Sequence, residues 1–227
     1  MWTVLEGIYD GPIDTHSSGP QPIIVEKIPA LADGDALITP VAIKAGDEVV
    51  DADGDLVILA GGERLLPSGC FDQSCAAIWD GKTPLKLDQL SLSYRLRQGI
   101  TWSDGTPLTA QDSVFSFDLS RSPDIPVAKA LPQRTSTYEA LDEVTVKWTG
   151  KPGYVPARFD SLFWAPMPKH AWGSISPKEL LDSEQANERP LGWGPFVVSE
   201  WVKGDDITLV RNEKYVRAQE GLPTFDH

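Results

Sequence analysis

Two cysteines are the residues of this sequence most able to form a covalent link. Cys70 and Cys75 stand in the segment Gly-Cys-Phe-Asp-Gln-Ser-Cys, with four residues between them. This spacing permits a small disulfide loop, and free thiols are the alternative. A zinc site would need two more ligands, and the histidines are distant in the sequence, so we expect no metal. A disulfide here would indicate an oxidising compartment.

Three alternating carboxylates offer a second possible site. Asp51, Asp53 and Asp55 are arranged as at the start of a calcium-binding EF-hand loop. The pattern then fails, because Leu56 stands where the sharp turn needs glycine and Gly62 where a bidentate glutamate is required. An Asp-Gly pair between two apolar runs instead favours a β-hairpin, so we expect a turn and no bound cofactor.

Catalytic patterns are weak in this sequence. His170 follows a proline-rich turn, where a lone histidine is more often structural than a general base. The sequence contains no nucleophile elbow, HExxH motif, phosphate-binding loop or dinucleotide fingerprint. We therefore expect no catalytic residues and no enzyme. A secreted carboxylate-dependent hydrolase and a non-catalytic interaction module remain as alternatives.

Composition narrows the classes of partner. The chain has 33 acidic and 20 basic residues, a net charge of -13, which argues against nucleic acid and anionic membranes. No run of about 18 apolar residues could cross a bilayer. Residues 1–6 lack the basic start and apolar stretch of a secretory signal, which leaves a cytosolic protein or a trimmed chain as alternatives.

The apolar pattern predicts more strands than helices. Thr109 and Asp112 form a capping pattern that predicts a helix from about Ala110, and Ser176 and Glu179 predict another from residue 177 to about residue 186. The predicted strands are 36–38, 41–43, 48–50, 56–59, 90–96, 144–148, 196–202 and 207–210. This mixture predicts an α/β or α+β fold with a substantial sheet.

Two stretches of the sequence carry a family resemblance. Residues 94–114 read YRLRQGITWSDGTPLTAQDSV, and residues 190–196 read PLGWGPF, followed at 207–215 by ITLVRNEKY. They resemble the signature of the family 5 extracellular solute-binding proteins, which serve peptide and nickel ABC importers. Trp193 replaces the usual threonine of the family's Gly-Thr-Gly-Pro-Tyr turn. Residues 5–10 are similar to an early segment of that family, whereas residues 41–86 have no counterpart in its general pattern.

The resemblance implies a particular architecture. It is a periplasmic-binding-protein-like type II lobe with an extra β-rich domain. Residues 1–35 would begin the ligand-binding lobe, 36–150 would form the inserted β-rich domain with its capped helix, and 151–227 would return to the lobe. The chain would be an amino-terminal fragment, with the second lobe absent. A single lobe would bind ligand weakly, since half of the contacts would be missing.

The resemblance also implies a function. Such a protein captures peptide-like solutes and presents them to an ABC permease. The complete protein would be extracellular or periplasmic, anchored at the cell surface by a lipid, and monomeric. A peptide is the expected ligand, with sugars and nickel complexes as alternatives.

Five residues are candidates for contact with that ligand. Tyr9 and Asp10 belong to the early segment, Trp193 and Gly194 to the glycine-rich turn, and Trp164 to an aromatic pair. Tyrosine and tryptophan offer a flat apolar surface with one hydrogen-bonding group, although either can be ordinary core. Asp10 could pair with a ligand amine or stabilise its own turn, and the glycines allow close backbone approach.

Overall fold

Strands dominate the computed structural model, which describes residues 7–16 and 19–224. The strands are β1 (Ile13–His16), β2 (Gly19–Pro22), β3 (Ala36–Ile43), β4 (Glu48–Val50), β5 (Leu56–Ile58), β6 (Arg64–Leu65), β7 (Ala77–Ile78), β8 (Leu85–Arg95), β9 (Thr135–Ala140), β10 (Thr145–Gly150), β11 (Phe196–Trp201) and β12 (Ile207–Arg211). The helices are α1 (Ala110–Arg121), α2 (Ala130–Arg134), α3 (Lys169–Trp172), α4 (Pro177–Leu180) and α5 (Glu184–Asn187). In the described part of the chain, each helix is too short or too polar to span a lipid bilayer.

A four-stranded antiparallel sheet organises the fold in the order β3-β8-β10-β9. The long strand β8 buries Leu90, Leu92 and Tyr94 on one face, which confirms the alternation predicted at 90–96. Strand β3 runs unbroken through Pro40, where two strands had been predicted. Proline is tolerated because β3 is an edge strand with a single partner.

Helix α1 starts where the sequence predicts. The backbone N–H of Thr109 donates to the carboxylate of Asp112 at 2.8 Å, which satisfies a donor at the helix N-terminus. Phe117 on the same helix is buried in the main core. The helix packs against β9 and β10, so one side of the sheet is covered.

Two hydrophobic cores lie within the described residues. The main core contains Trp102 and Trp148, and it also takes Ile24 and Trp193 from outside the predicted inserted domain. The boundaries predicted near residues 35 and 150 stay predictions. The smaller core lies beside the β4–β5 and β6–β7 hairpins and consists of Ile43, Val49, Leu59, Leu65, Trp79 and Leu87.

The two possible sites of the hairpin region are structural. Asp51 uses one carboxylate oxygen to accept the backbone N–H groups of Asp53 and Asp55, each at 2.9 Å, so the acidic run forms a turn between β4 and β5. Cys70 and Cys75 are joined by a disulfide, with Cα atoms 5.8 Å apart. The described residues hold no cluster of three or more metal-ligating side chains.

The helix predicted over residues 177–186 is wrong in length. It is divided into α4 and α5, because Ser183 caps a second start by accepting the N–H of Ala186 at 3.3 Å. The capping pair of Ser176 and Glu179 is present as predicted. The final hairpin of β11 and β12 is confirmed.

Candidate ligand-binding groove

An open groove of about 760 Å³ lies beside α1. One wall comes from α1, the loop after it and α2, and the other from residues 164–187. The lining residues are Tyr9, Ser116, Leu119, Ser120, Ile125, Val127, Ala128, Leu131, Pro132, Trp164, Ala165, Met167, Trp172, Leu180, Leu181, Ala186 and Asn187. The groove is therefore mostly apolar, with a few neutral polar groups, as is common for small-ligand sites.

Trp164 is held in the groove wall through its backbone. Ser113 donates its hydroxyl to the carbonyl of Trp164 at 2.5 Å, and the N–H of Trp164 donates to the Tyr138 hydroxyl at 3.1 Å. The Tyr138 and Ser113 hydroxyls are 2.7 Å apart. Since Ser113 uses its proton on the carbonyl, Tyr138 donates to Ser113 and closes a ring of three hydrogen bonds. Burial raises the pKa of Tyr138, which keeps this donor protonated.

Aromatic packing fixes the orientation of the Trp164 ring. Its centroid lies 4.8 Å from those of Phe117 and Tyr138, both in edge-on arrangements. Trp164 is only partly buried and lines the groove. One part of the indole therefore belongs to the core while another part is available to a ligand.

Asp112 positions the start of α3, which belongs to the groove wall formed by residues 164–187. Besides capping α1, its carboxylate accepts the N–H of Lys169 at 3.0 Å, at the start of α3. Trp172 at the end of α3 lines the groove and is 6% exposed. The indole nitrogen of Trp172 is buried and has no hydrogen-bond partner among the described residues. One of the residues that line the groove therefore carries a buried, unsatisfied donor.

The glycine-rich turn at residues 192–195 packs against residues 8–10, and we call these two segments together the anchor. Gly194 donates its N–H to the Ile8 carbonyl at 2.8 Å. A Cβ at Gly194 would come within 2.6 Å of that oxygen, and one at Gly192 would overlap it. Both glycines are needed because two backbone segments meet here without room for a side chain.

Trp193 fills the core beneath this turn. It is 1% exposed, and its indole N–H donates to the Asp10 carbonyl at 2.8 Å. The rings of Tyr9 and Trp102 lie 5.2 and 5.4 Å from its own. In this structure Trp193 has neither a free side-chain donor nor an accessible ring face, so its contact with a ligand stays a prediction.

Asp10 is tied into the same anchor. Its carboxylate accepts the hydroxyl of Tyr215 at 2.5 Å, and burial together with this carboxylate raises the pKa of Tyr215. Its neighbour Tyr9 reaches the groove, and burial raises the pKa of the Tyr9 hydroxyl. Among the five candidates, Tyr9 and Trp164 thus line the groove. Asp10, Trp193 and Gly194 lie in the anchor alone, and Tyr9 belongs to both regions.

Sequence reasoning missed the rest of the groove. The loop residues Ile125 and Val127 and the helical residues Leu131 and Trp172 line it. The available signal was a short loop that carries apolar side chains although it has no regular structure. Val127 lies in this loop and is 47% exposed.

The histidine considered for catalysis has a structural contact. His170 Nε2 lies 2.8 Å from the Asp104 carboxylate and connects α3 to the turn at residues 103–107. Among the described residues, the hydrogen bonds of His170 do not include a serine or threonine hydroxyl. The pair is therefore not arranged as a nucleophile-activating set in this structure.

The family of the chain follows from its match to a family model. The model of bacterial extracellular solute-binding proteins, family 5 Middle, matches residues 85–227. This range covers more than half of the chain and includes most of the residues that line the groove. The chain belongs to this family.

Known proteins give the same classification. The oligopeptide-binding protein AppA of Bacillus subtilis (strain 168) is 31% identical over 144 residues, which are 60% of this chain and 25% of AppA. A relative from Brucella ovis is 33% identical over 141 residues, 61% of this chain and 26% of the relative. The chain thus spans about a quarter of the length of these relatives.

A solved structure shows the same fold. The oligopeptide binding protein of Thermus thermophilus, complexed with a pentapeptide, superposes with a TM-score of 0.55 at 18% identity. The superposition covers 94% of this chain and 33% of the other. The predicted mixed α/β fold of this class is confirmed.

Proposed function

We propose that this chain is part of the substrate-binding component of an ABC importer, which captures peptide-like solutes and presents them to a permease. The observation that carries the proposal is the family match over residues 85–227. A relative named as an oligopeptide-binding protein supports a peptide rather than a sugar or a metal complex. Binding, without turnover, is the activity.

The groove supports this proposal by its chemistry. Tyr9 and Trp164 expose aromatic surface to the apolar groove, which is open to solvent. Aromatic surface binds varied side chains through apolar contact, because it offers large area at low cost in side-chain entropy. A peptide receptor needs such tolerance, whereas the described residues of the groove hold no arrangement of acid, base and nucleophile.

We further propose that the protein acts outside the membrane as a lipid-anchored monomer. The disulfide between Cys70 and Cys75 supports an oxidising compartment, where such bonds persist. Thiol labelling of the protein before and after reduction tests the disulfide on which the oxidising compartment is inferred. No label before reduction and two after it are expected, and two free thiols in the isolated protein would contradict it.

Calorimetry tests the function directly. The full-length protein that carries this chain is titrated with pools of short peptides, oligosaccharides and nickel chelates. Saturable heat with the peptide pool alone is expected. Saturation by another pool would replace the ligand class, and silence in all pools would contradict the proposal. A turnover assay on the bound pool then separates a receptor from a hydrolase.

A further inference from the structure

We infer that the groove selects solutes with uncharged, apolar side chains and discriminates most strongly against carboxylates. This inference rests on the proposed function, because it assumes that the groove receives part of the captured solute. It concerns the residue class that the site accepts, which neither the family match nor the relatives' names specify.

The lining of the groove gives the first step. Among the described residues that line it, none carries a charged side chain. A charged group entering the groove would lose water and find no counter-ion, which is costly. An apolar side chain would instead remove its own surface and that of Leu119, Ile125 and Leu131 from water, which is favourable.

The polar groups of the groove give the second step. The polar groups Ser116, Ser120 and Asn187 are neutral. The Ser120 hydroxyl already donates to the Phe117 carbonyl, and the Asn187 amide donates to backbone carbonyls at residues 181 and 183. Their oxygens can therefore accept a peptide N–H, whereas a carboxylate would find no free donor on these two side chains. Trp172 adds mainly apolar ring surface to the lining, because its indole nitrogen is covered by protein atoms.

The surrounding charge gives the third step, which ranks the rejected solutes. The chain carries a net charge of -13, so the long-range field of the chain as a whole favours cations over anions. A lysine side chain would therefore be rejected less than an aspartate side chain. The order expected is leucine first, lysine second and aspartate third.

Two exposed rim residues allow the inference to be tested without disturbing the core. Val127 and Leu181 line the groove and are 47% and 43% exposed. Val127→Lys places a cation at the rim and should reduce the discrimination against aspartate. Val202→Lys is the matched control, because Val202 has a similar exposure of 40% and lies outside the groove.

The experiment titrates the full-length protein with three short peptides of equal length that differ at one position, which is leucine, lysine or aspartate. The leucine peptide is expected to bind at least about tenfold more tightly than the aspartate peptide, a difference of about 1.4 kcal/mol. Val127→Lys should narrow that ratio at least about threefold, while Val202→Lys leaves it unchanged.

Each outcome decides a different claim. Equal binding of the three peptides, or a preference for aspartate, would overturn the inference while the proposed function stands. A ratio that Val127→Lys and Val202→Lys change equally would also overturn it, because the selection would then arise from the overall field. Failure of all three peptides, together with the peptide pools, would overturn the proposed function and this inference with it.

Discussion

Two aromatic regions of this chain, the groove and the anchor, use a tryptophan in different ways. In the groove, Trp164 is partly buried, and its hydrogen bonds to Ser113 and Tyr138 are made by the backbone. In the anchor, Trp193 is fully buried, and its bond to Asp10 is made by the side chain. The two tryptophans therefore have different roles although their residue type is the same.

The difference shows what makes an aromatic residue available to a ligand. At Trp164 the backbone makes the hydrogen bonds and ring packing covers only part of the indole, so the rest of the side chain can face the groove. At the anchor, Gly192 and Gly194 let the turn press against residues 8–10, and the indole fills the space beneath. We thus expect changes in the anchor to reduce stability and changes in the groove to reduce affinity.

Gly192→Ala should have the largest effect. The added methyl group would overlap the Ile8 carbonyl oxygen, which belongs to a backbone segment that cannot move aside cheaply. We expect a loss of at least about 3 kcal/mol in the free energy of unfolding, measured by urea denaturation. Gly11→Ala is the control, since the nearest atom to its Cβ would be 3.6 Å away. Equal stability of the two variants would show that the anchor is not tightly packed.

Trp193→Phe should rank second. It removes the indole N–H and leaves the part-buried Asp10 carbonyl without that donor, besides leaving a small cavity. We expect a loss of about 2 kcal/mol in the free energy of unfolding. Peptide affinity of the folded fraction should not change. A large loss of affinity with full stability would restore Trp193 as a ligand contact.

Trp164→Phe should show the reverse pattern. The backbone hydrogen bonds of Trp164 survive the substitution, while the groove loses part of its aromatic surface. We expect peptide affinity to fall about tenfold, or about 1.4 kcal/mol, in calorimetry. The loss in unfolding free energy should stay below that of Trp193→Phe. The comparison between the two regions would fail if the two variants lost equal stability and neither lost affinity.

Tyr215→Phe should have the smallest effect. It removes the hydrogen bond to Asp10, for which we expect a loss of about 1 kcal/mol near neutral pH. The pKa of Tyr215 is raised in the folded protein, so its stabilisation is complete below the unfolded pKa of about 10 and is lost as the pH rises further. Between about pH 8 and 11, the free energy of unfolding should therefore decrease less steeply with pH for Tyr215→Phe than for the unsubstituted protein. Identical alkaline slopes would argue against a raised pKa of Tyr215 in the folded protein.

Local signals account for the parts of the fold that the sequence predicts well. The hairpin around Asp51 and the start of α1 at Thr109 depend on side chains that bond their own neighbouring backbone. The break between α4 and α5 was missed, although Ser183 is a good cap, because a cap inside a polar stretch is easily taken for a surface residue. The continuous strand β3 was missed because Pro40 is normally a strand breaker, and only the sheet order shows that β3 is an edge.

The site was harder to predict than the fold. Trp164 and Trp193 both occur next to other apolar residues or glycines, and only the tertiary contacts decide which one is covered. The groove forms where α1, the following loop and α2 meet residues 164–187, and these two segments are distant in sequence. Local patterns carry no record of which apolar side chains meet across such distances. Tyr9 and Trp164 were found because aromatic residues suit ligand surfaces, an argument that applied equally to Trp193.

Photo-crosslinking is the most direct test of where the solute binds. A short leucine-containing peptide that carries a benzophenone side chain is bound to the full-length protein, irradiated, and the labelled fragments are identified by mass spectrometry. Within this chain, the groove predicts labels at residues 116–131 and 164–187, reduced by an excess of unlabelled peptide. Displaceable labels confined to residues 192–215, with the groove unlabelled, would contradict the assignment of the groove as the binding site.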